Sequence, residues 1–338
     1  MRTQIRPARQ PRAARITGVG GYRPSRVIPN SEIVERIDSS DEWIRTRSGI
    51  ETRRWATDDE TVISMSLSAA GKAIAHAGVH PDQIGCVIVS TVTHLYQTPS
   101  AAAEIAFKLG TDRAAAFDIS AACAGFCYGL SLASDMVQAG TAEHVLVIGV
   151  ERLSDLTDPT DRSTAFLFAD GAGAVVVGPA DDAEGAGIGP VAWGSDGASL
   201  DHIRQRENWR DALHAADGPR MPHLVMQGNP VFRWASYEMP KVALEALDAA
   251  GVTIDDLDVF VPHQANMRIT DAMARQLKLP DHVVIARDIA QQGNSSAASI
   301  PLAIERMLES GEARSGDLAL VIGFGAGLVY AAQVIRIP

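Results

Sequence analysis

The stretch AGVHPDQIGCVIVSTVTH (residues 77–94) decides the fold, because a second stretch with the same order of features occurs later in the chain. AAGVTIDDLDVFVPHQAN (residues 249–266) again places a glycine that stops a helix, an acidic turn and an apolar strand in succession. The two glycines lie 173 residues apart, and VLVIG at 145–149 recurs at nearly the same offset as ALVIG at 319–323. Matching blocks in the same order indicate that one α/β unit has been duplicated.

Each half alternates apolar strands with helical stretches of ten or more residues, which is typical of parallel sheets covered by helices. We therefore predict an α/β fold with two similar halves, residues 15–180 and 181–338. Residues 1–14 are rich in arginine but lack the apolar segment of a secretory signal, and we predict a mobile basic arm. Residues 194–221 fit neither half and are predicted to form a cap, a common place for substrate contacts.

Composition excludes several classes of function. The 338-residue chain is 46% apolar and 21% charged, as expected of a globular protein, and its net charge of −11 argues against nucleic acid as a partner. No apolar run is long enough to span a membrane. Three cysteines without a CxxC pair indicate neither a disulfide framework nor a zinc site, and we predict a cytoplasmic protein without a metal.

The stretch FDISAACAGFCYGL (residues 117–130) contains the candidate nucleophile, Cys123. An apolar strand precedes this thiol, small residues surround it, and an apolar-periodic helix follows. At a strand-to-helix turn the thiol lies near unpaired backbone N–H groups and the positive end of the helix dipole, so we expect a pKa lowered to roughly 3.5–7.5. The alternative is that Cys123 is a small buried hydrophobe, as most free cysteines are.

Two further residues are predicted to meet this thiol. His263 directly follows the apolar strand of the second repeat, at a strand end where active sites of α/β proteins gather. Its alternative interpretation is a histidine on a surface loop. The offset of 173 residues carries Cys123 onto Ser296, within GNSSAAS at 293–299. If the two turns face each other across the junction between the halves, Asn294 lies near the thiol.

The glycine-rich segment GFGAGL (residues 323–328) imitates part of a dinucleotide-binding fingerprint. The chain ends too soon after it to supply the required βαβ unit and acidic residue. We interpret it as a tight turn between the last two strands that brings backbone N–H groups close to a ligand. The sequence has neither a P-loop nor a GxSxG nucleophile elbow.

Seven motifs together resemble the β-ketoacyl-acyl carrier protein synthase III family, the initiating condensing enzymes of bacterial fatty-acid synthesis. They are SSDEWIRTRSGI (39–50), DISAACAGF (118–126), DPTDRST (158–164), FADGAGAVV (168–176), VPHQANMRI (261–269), GNSSAASIP (293–301) and GFGAG (323–327). The resemblance implies a thiolase-like layered αβαβα fold and a homodimer. It also implies that a short acyl-CoA condenses with malonyl-acyl carrier protein, releasing CoA and CO₂ through an acyl-cysteine intermediate. Coenzyme A thioester is then a substrate, and no cofactor is expected.

The resemblance also assigns roles to residues. It makes Cys123 the nucleophile, with His263 and Asn294 as donors to the enolate formed by decarboxylation. The oxyanion is expected to bind the backbone N–H groups of Cys123 and Ala326, although the family usually has glycine at the latter position. Phe324 is expected to line the acyl pocket, and the loop at 93–100 to reach across a dimer.

Binding residues follow from the same resemblance. The positions expected to bind coenzyme A are Trp43, Arg47, Arg162, Asn229 and Asn266. The positions expected to bind the carrier protein are Gln264, Ala265, Asn266, Met267, Arg268, Arg233 and Arg275. Because both the carrier protein and this chain are acidic, docking requires a local basic patch.

Two alternative functions remain at this level. A starter-unit ketosynthase or acyltransferase of a polyketide pathway has the same fold, although related acyltransferases often lack the asparagine. A catalytically silent partner subunit of a condensing heterodimer is the alternative from a different class. Such subunits tend to lose the thiol, whereas this chain keeps Cys123, His263 and Asn294.

Overall fold

The computed structural model describes residues 12–111, 113–180 and 185–338. The strands are β1 Ala14–Tyr22, β2 Arg26–Pro29, β3 Thr52–Trp55, β4 Ile84–Ser90, β5 Ala115–Ile119, β6 His144–Arg152, β7 Asp170–Pro179, β8 Ala192–Gly194, β9 Ile203–Gln205, β10 Leu224–Met226, β11 Val259–Pro262, β12 Val284–Ile285, β13 Leu318–Gly325 and β14 Val329–Arg336. The α-helices are α1 Asn30–Val34, α2 Asp41–Ser48, α3 Val62–Ala77, α4 Ala101–Leu109, α5 Gly125–Gln138, α6 Trp209–Leu213, α7 Gly228–Tyr237, α8 Met239–Ala250, α9 Met267–Leu277, α10 Ile289–Gln292 and α11 Ser299–Ser310.

Two five-stranded sheets have the same topology. The first has the order β1-β7-β6-β4-β5, and the second, read from its other end, has the order β8-β14-β13-β11-β12. In each, the three strands β6, β4 and β5, or β13, β11 and β12, run parallel, and the remaining two pair antiparallel. Each strand of one five-stranded sheet therefore has a counterpart in the other sheet, which confirms the predicted duplication.

The helix ends follow from local sequence signals. Thr61 and Ser64 form a capping box at the start of α3, and Gly78 ends that helix in the left-handed conformation with φ 65°. Gly251 ends α8 in the same way with φ 69°. The glycine that opened each repeat is therefore a helix stop, as predicted.

The core explains the layering. Helices α5 and α11 pack between the two sheets, and their apolar side chains form one cluster with residues from both sheets. A second cluster joins α3 and α4 to the outer face of the first sheet. A third joins α7, α8 and α9 to the outer face of the second sheet. The result is five layers, αβαβα, as the resemblance implied.

The turns that precede α5 and α11 are short helical segments, Ala122–Ala124 and Ser296–Ala298. Ala122 and Ser296 both have positive φ, 43° and 48°. The structural offset here is therefore 174 residues, and Ser296 corresponds to Ala122. The predicted equivalence of Ser296 with Cys123 is wrong by one residue, but the predicted meeting of the two turns is confirmed because Ala297 packs on Gly125 and Gly149.

Two other predicted segments have specific outcomes. The predicted arm falls mostly on residues 1–11, which lie outside the described residues, whereas Arg12 donates hydrogen bonds to the end of α5 and Ala14 begins β1. The predicted cap contains β9 and α6, and β9 pairs with β10. No helix in the described ranges has the length and apolarity needed to cross a membrane.

Candidate active site

Cys123 lies where two cavities meet. The access cavity, about 250 Å³, is lined by Cys123, His263 and Asn294 together with residues of α2, α7 and α9. A second cavity, which we call the inner cavity, has about 430 Å³, also borders the thiol, and is lined by the loop after β4, by β9 and by Ala326. The three predicted catalytic side chains therefore meet in one space, and the thiol borders a second one.

The prediction of a lowered thiol pKa is wrong for this fold. Cys123 does lie in the turn that enters α5, near the positive end of its dipole. Burial nevertheless raises the pKa of Cys123 to about 12, and the nearby Glu151 carboxylate adds to this increase. A hydrogen bond from Ser296 acts in the opposite direction without compensating. The thiol is thus protonated at neutral pH, and its proton leaves when the nucleophile forms.

His263 follows β11 and is 2% exposed. Burial lowers its pKa to about 3, so the imidazole is neutral at physiological pH. Its Nδ1 lies 2.7 Å from the Ser299 hydroxyl, which also accepts a hydrogen bond from the backbone N–H of Gln264. This contact fits the tautomer in which the Ser299 hydroxyl donates to Nδ1 and the imidazole proton lies on Nε2. The Phe324 ring packs edge-on against the imidazole, with centroids 5.4 Å apart.

Asn294 is oriented by the turn that follows it. Its Oδ1 accepts a hydrogen bond of 2.9 Å from the backbone N–H of Ser296. Its own backbone is fixed between Leu167 and Ala169, next to β7. Because Oδ1 is held by this donor, the amide NH₂ is the group left to face the access cavity. Asn294 and His263 thus present two hydrogen-bond donors to the space beside the thiol.

GFGAGL forms a tight turn between β13 and β14, as predicted, and the structure shows that this turn contacts the nucleophile directly. A Cβ atom at Gly325 would lie 2.9 Å from both the backbone nitrogen and the Cβ of Cys123, and 3.1 Å from its sulfur. Only glycine permits this approach. Ala326, the next residue, lines the inner cavity together with Cys123, and its role as an oxyanion donor remains a prediction.

The predicted coenzyme A residues cluster at the mouth of the access cavity. The guanidinium groups of Arg47 and Arg162 lie 5.8 and 4.5 Å from the centroid of the Trp43 ring. Asn229 at the start of α7 lines the same cavity. Asn266 has a structural role as well: its Oδ1 caps α9 and its Nδ2 donates to the carbonyl of Arg47. Its predicted contact with pantetheine remains a prediction.

The residues predicted to bind carrier protein differ in how exposed they are. Gln264 is 1% exposed and is hydrogen-bonded to the backbone of Pro262, Ala286 and Ile289, so its assignment to a docking surface is wrong. Gln264 instead stabilises, from within the protein, the loop that contains His263. Ala265 and Met267 are half-buried.

The predicted basic patch is exposed. Arg268 and Arg275 on α9, and Arg233 on α7, are solvent-exposed on two helices that pack together. Within the ranges that the structure describes, none of the three has a salt-bridge partner, while Arg268 lies over the Phe232 ring and lines the access cavity. All three cations are therefore exposed to an acidic partner, and Arg268 lies at the cavity itself.

Phe324 lies on the access cavity, beside His263, whereas the inner cavity has a wall that the sequence did not identify. Its apolar lining residues are Val92, Leu153, Leu156, Phe168, Ile203 and Leu224. The assignment of Phe324 to the acyl pocket remains a prediction. The loop after β4 adds His94 to this wall, and the segment predicted as a cap supplies Ile203, as expected of a region of substrate contacts.

The fold and these three groups are those of a thiolase-like condensing acyltransferase. The family model described as "3-Oxoacyl-[acyl-carrier-protein (ACP)] synthase III" matches residues 117–197, and the model of its C-terminal part matches residues 247–337. The chain is 63% identical over 336 residues to the β-ketoacyl-acyl carrier protein synthase III of Streptomyces glaucescens, covering 99% of this chain and 100% of that protein.

Solved structures agree. The priming β-ketosynthase of the R1128 polyketide pathway superposes with a TM-score of 0.95 at 48% identity, covering 99% of this chain and 98% of that one. The Aquifex aeolicus 3-oxoacyl-acyl carrier protein synthase III superposes with a TM-score of 0.87 at 36% identity, covering 96% and 99%. The chain belongs to the β-ketoacyl-acyl carrier protein synthase III family.

Proposed function

We propose that this enzyme condenses a short acyl-CoA with malonyl-acyl carrier protein, giving 3-oxoacyl-acyl carrier protein, CoA and CO₂, and so initiates fatty-acid synthesis. The observation that carries the proposal is the convergence of Cys123, His263 and Asn294 on one cavity, while the thiol also borders a second cavity. A ketosynthase needs both: donors for an enolate on one side and space for an acyl chain on the other.

In the first half-reaction, the Cys123 sulfur attacks the thioester carbonyl of acyl-CoA, and CoA leaves. The backbone N–H groups of Cys123 and Ala326 hold the oxyanion of the tetrahedral intermediate. The acyl chain then occupies the inner cavity. Its volume of about 430 Å³ and its mostly apolar wall support short starters, including branched ones.

In the second half-reaction, malonyl-acyl carrier protein binds, CO₂ leaves, and the enolate carbon attacks the acyl-cysteine carbonyl. Nε2–H of His263 and the NH₂ of Asn294 donate to the enolate oxygen. A neutral imidazole suits this task because, when Nδ1 accepts from the Ser299 hydroxyl, its proton lies on Nε2. Together these groups act without a cofactor or metal.

The mouth of the access cavity supports the substrate assignments. Trp43, Arg47 and Arg162 offer an aromatic face and two positive charges to the nucleotide of coenzyme A. The basic patch of Arg233, Arg268 and Arg275 offers an acidic carrier protein a docking surface, although the whole chain carries a net charge of −11. Both substrates thus enter by one route, consistent with two successive half-reactions.

The experiment is incubation of the purified enzyme with a panel of acyl-CoAs, followed by malonyl-acyl carrier protein. Intact-protein and peptide mass spectrometry reads the acyl group on Cys123, and product analysis reads the 3-oxoacyl chain. We expect acylation by starters of short length and a product two carbons longer. A Cys123→Ser enzyme that condenses at full rate would overturn the proposal, as would acylation at another residue.

A second candidate is the priming step of a polyketide pathway, favoured by the TM-score of 0.95 with the R1128 priming ketosynthase. The same chemistry serves both pathways, so the discriminating quantity is the choice of malonyl carrier. We expect a higher kcat/KM with the carrier protein of fatty-acid synthesis than with a polyketide carrier protein. The reverse preference would favour the priming role.

We also propose a cytoplasmic homodimer. Strand β5 is the edge of the first sheet and has no partner on that side among the described residues; Phe117 on this strand and Phe107 on α4 are 36% and 79% exposed. A second copy, pairing edge to edge, would cover these groups. The three cysteines are free thiols, as expected in a reducing compartment. Sedimentation of wild type and of Phe107→Asp tests the dimer; a wild-type monomer would contradict it.

A further inference from the structure

Arg53 on β3 is a buried cation that the chemistry above does not use. It is 0% exposed, and among the described residues its guanidinium donates to three uncharged oxygens. These are the carbonyl of Ile28 at 3.3 Å, the side-chain oxygen of Asn30 at 2.5 Å and the carbonyl of Phe166 at 3.2 Å. Burial lowers the pKa of Arg53 to about 10, so the group is still charged at neutral pH. Its hydrogen bonds are therefore charge-assisted and stronger than bonds between neutral groups.

The segment 166–169 connects Arg53 to the backbone of Asn294. Arg53 and Trp55, two residues apart on one face of β3, donate to the carbonyls of the first and third residues of the segment, at 3.2 and 3.1 Å. The backbone of Asn294 pairs with the second and fourth residues, at 2.9 and 2.8 Å. Arg53 also packs on the residue before Asn294, since a Cβ at Gly293 would lie 2.7 Å from the Cβ of Arg53. Two side chains of β3 thus hold the same four residues that hold the catalytic amide.

The side chains of this segment line the cavities where the substrates are proposed to bind. Its first three residues line the access cavity, and Phe168 also lines the inner cavity. The ring of Phe166 packs edge-on against Trp43, with centroids 5.3 Å apart and an angle of 80° between the rings. Trp43 is the aromatic face proposed to contact the nucleotide of coenzyme A. The position of the segment therefore affects the coenzyme A site as well as Asn294.

Asn30 extends the same connection to α2. It is 1% exposed, its Oδ1 accepts from Arg53, and its Nδ2 donates to the Asp41 carboxylate at 2.7 Å and to a backbone carbonyl at 2.9 Å. Asp41 is the first residue of α2, the helix that carries Trp43. The guanidinium of Arg53 is thus bonded directly to Phe166 and, through Asn30, to the helix of the ring that Phe166 contacts.

We propose that Arg53 is a positioning residue for the binding of coenzyme A and for decarboxylation, an inference that rests on the proposed function. Its guanidinium holds the segment 166–169 directly and α2 through Asn30, and so fixes the Trp43 ring at the mouth of the access cavity. The same hold on the segment fixes the amide of Asn294 beside the thiol. Without the guanidinium, three buried oxygens lose a donor, and the backbone shifts to recover one.

The test compares Arg53→Met with Arg54→Met, a matched change at the next residue of β3. The first variant removes every donor of the guanidinium, whereas the second removes a donor to the carbonyl of Pro24. Calorimetry measures the Kd for CoA, rapid-quench mass spectrometry measures acylation of Cys123 at saturating acyl-CoA, and CO₂ release measures decarboxylation at saturating malonyl-acyl carrier protein. Each value is expressed per folded enzyme, with folding checked by circular dichroism and thermal unfolding.

The expected pattern separates the three measurements. In Arg53→Met we expect the Kd for CoA to rise about tenfold, the scale of a weakened stacking contact. We expect decarboxylation to slow by about 10²-fold, as for a catalytic group displaced by about 1 Å. Acylation at saturation should change little, because Cys123 lies on the turn that enters α5, outside this network. Arg54→Met should behave like wild type in all three measurements.

A residue that served folding alone would lower the Tm and leave all three values per folded enzyme unchanged. That result in Arg53→Met overturns the proposal, as does a wild-type value of either the Kd or the decarboxylation rate, or equal slowing of acylation and decarboxylation. If Arg53→Met does not fold, Trp55→Phe replaces it, because this variant removes only the donor to Phe168. We expect Trp55→Phe to slow decarboxylation about fivefold, the effect of one neutral hydrogen bond, and a wild-type rate would overturn the proposal. Failure of wild type to form acyl-Cys123 would instead overturn the proposed function.

Discussion

Replacing Asn294 separates the two half-reactions. Its side-chain NH₂ is a fixed donor, because Oδ1 is held at 2.9 Å by the backbone N–H of Ser296 and the residue is 6% exposed. A preorganised donor in such a site contributes about 10²–10³ in rate, or about 2.7–4 kcal/mol. We therefore expect Asn294→Ala to slow decarboxylation of malonyl-acyl carrier protein by about 10²–10³-fold while acylation of Cys123 changes by less than about tenfold.

The matched variant is Asn294→Asp. It keeps an oxygen that accepts from the N–H of Ser296, so the turn retains its support, but it replaces the donor with a second acceptor. If the effect of Asn294→Ala came from a disturbed turn, Asn294→Asp would restore activity. If it comes from the missing donor, Asn294→Asp is equally slow or slower, because its charge repels the enolate.

The assay follows each half-reaction alone. Acyl-Cys123 is quantified by intact mass after rapid quench, and decarboxylation is measured as CO₂ release from malonyl-acyl carrier protein. We expect His263→Ala to behave like Asn294→Ala, since Nε2–H is the second donor. Equal loss of both half-reactions in these variants would refute the division of roles, as would recovery in Asn294→Asp.

Three further predictions concern docking, packing and pH. Arg268→Glu reverses an exposed charge without a salt-bridge partner at the cavity mouth, so the KM for malonyl-acyl carrier protein should rise at least tenfold while the KM for acyl-CoA changes little. The control is Arg36→Glu, which lies away from this patch. An unchanged KM in Arg268→Glu would show that the patch does not bind the carrier protein. Gly325→Ala should lower activity by about 10²-fold, because the new Cβ would lie 2.9 Å from the backbone nitrogen of Cys123. The control is Gly71→Ala, which has open space around it and should keep activity while raising stability by up to about 1 kcal/mol. Normal activity in Gly325→Ala would contradict this packing. Because the folded-state pKa of Glu151 is raised from 4.5 to about 7, the wild type should lose stability as pH rises through this window. Glu151→Gln should therefore have a higher Tm than wild type at pH 8 but not at pH 4.5. An equal difference in Tm at both pH values would contradict a raised pKa.

The fold was largely predictable because its signals are local and repeated. The helix stop, acidic turn and apolar strand occur twice, and Gly78 and Gly251 both adopt the left-handed conformation expected of them. The register of the catalytic turns was not predictable to the residue. Ala122 and Ser296 share a positive φ, which residues other than glycine rarely adopt. Neither alanine nor serine in the sequence indicates such a backbone conformation.

The residues of the site were predictable from the sequence, but the pKa of the nucleophile was not, for a physical reason. Residue type and a helix terminus predict a low thiol pKa, but burial depends on how two halves of the chain pack, and here it raises the pKa of Cys123 to about 12. The same packing brings Ser296 and Glu151 together from positions 145 residues apart. The junction between the duplicated halves also brings His263 and Asn294 to the cavity that contains Cys123. How the halves pack therefore sets both the neighbours of the nucleophile and its burial.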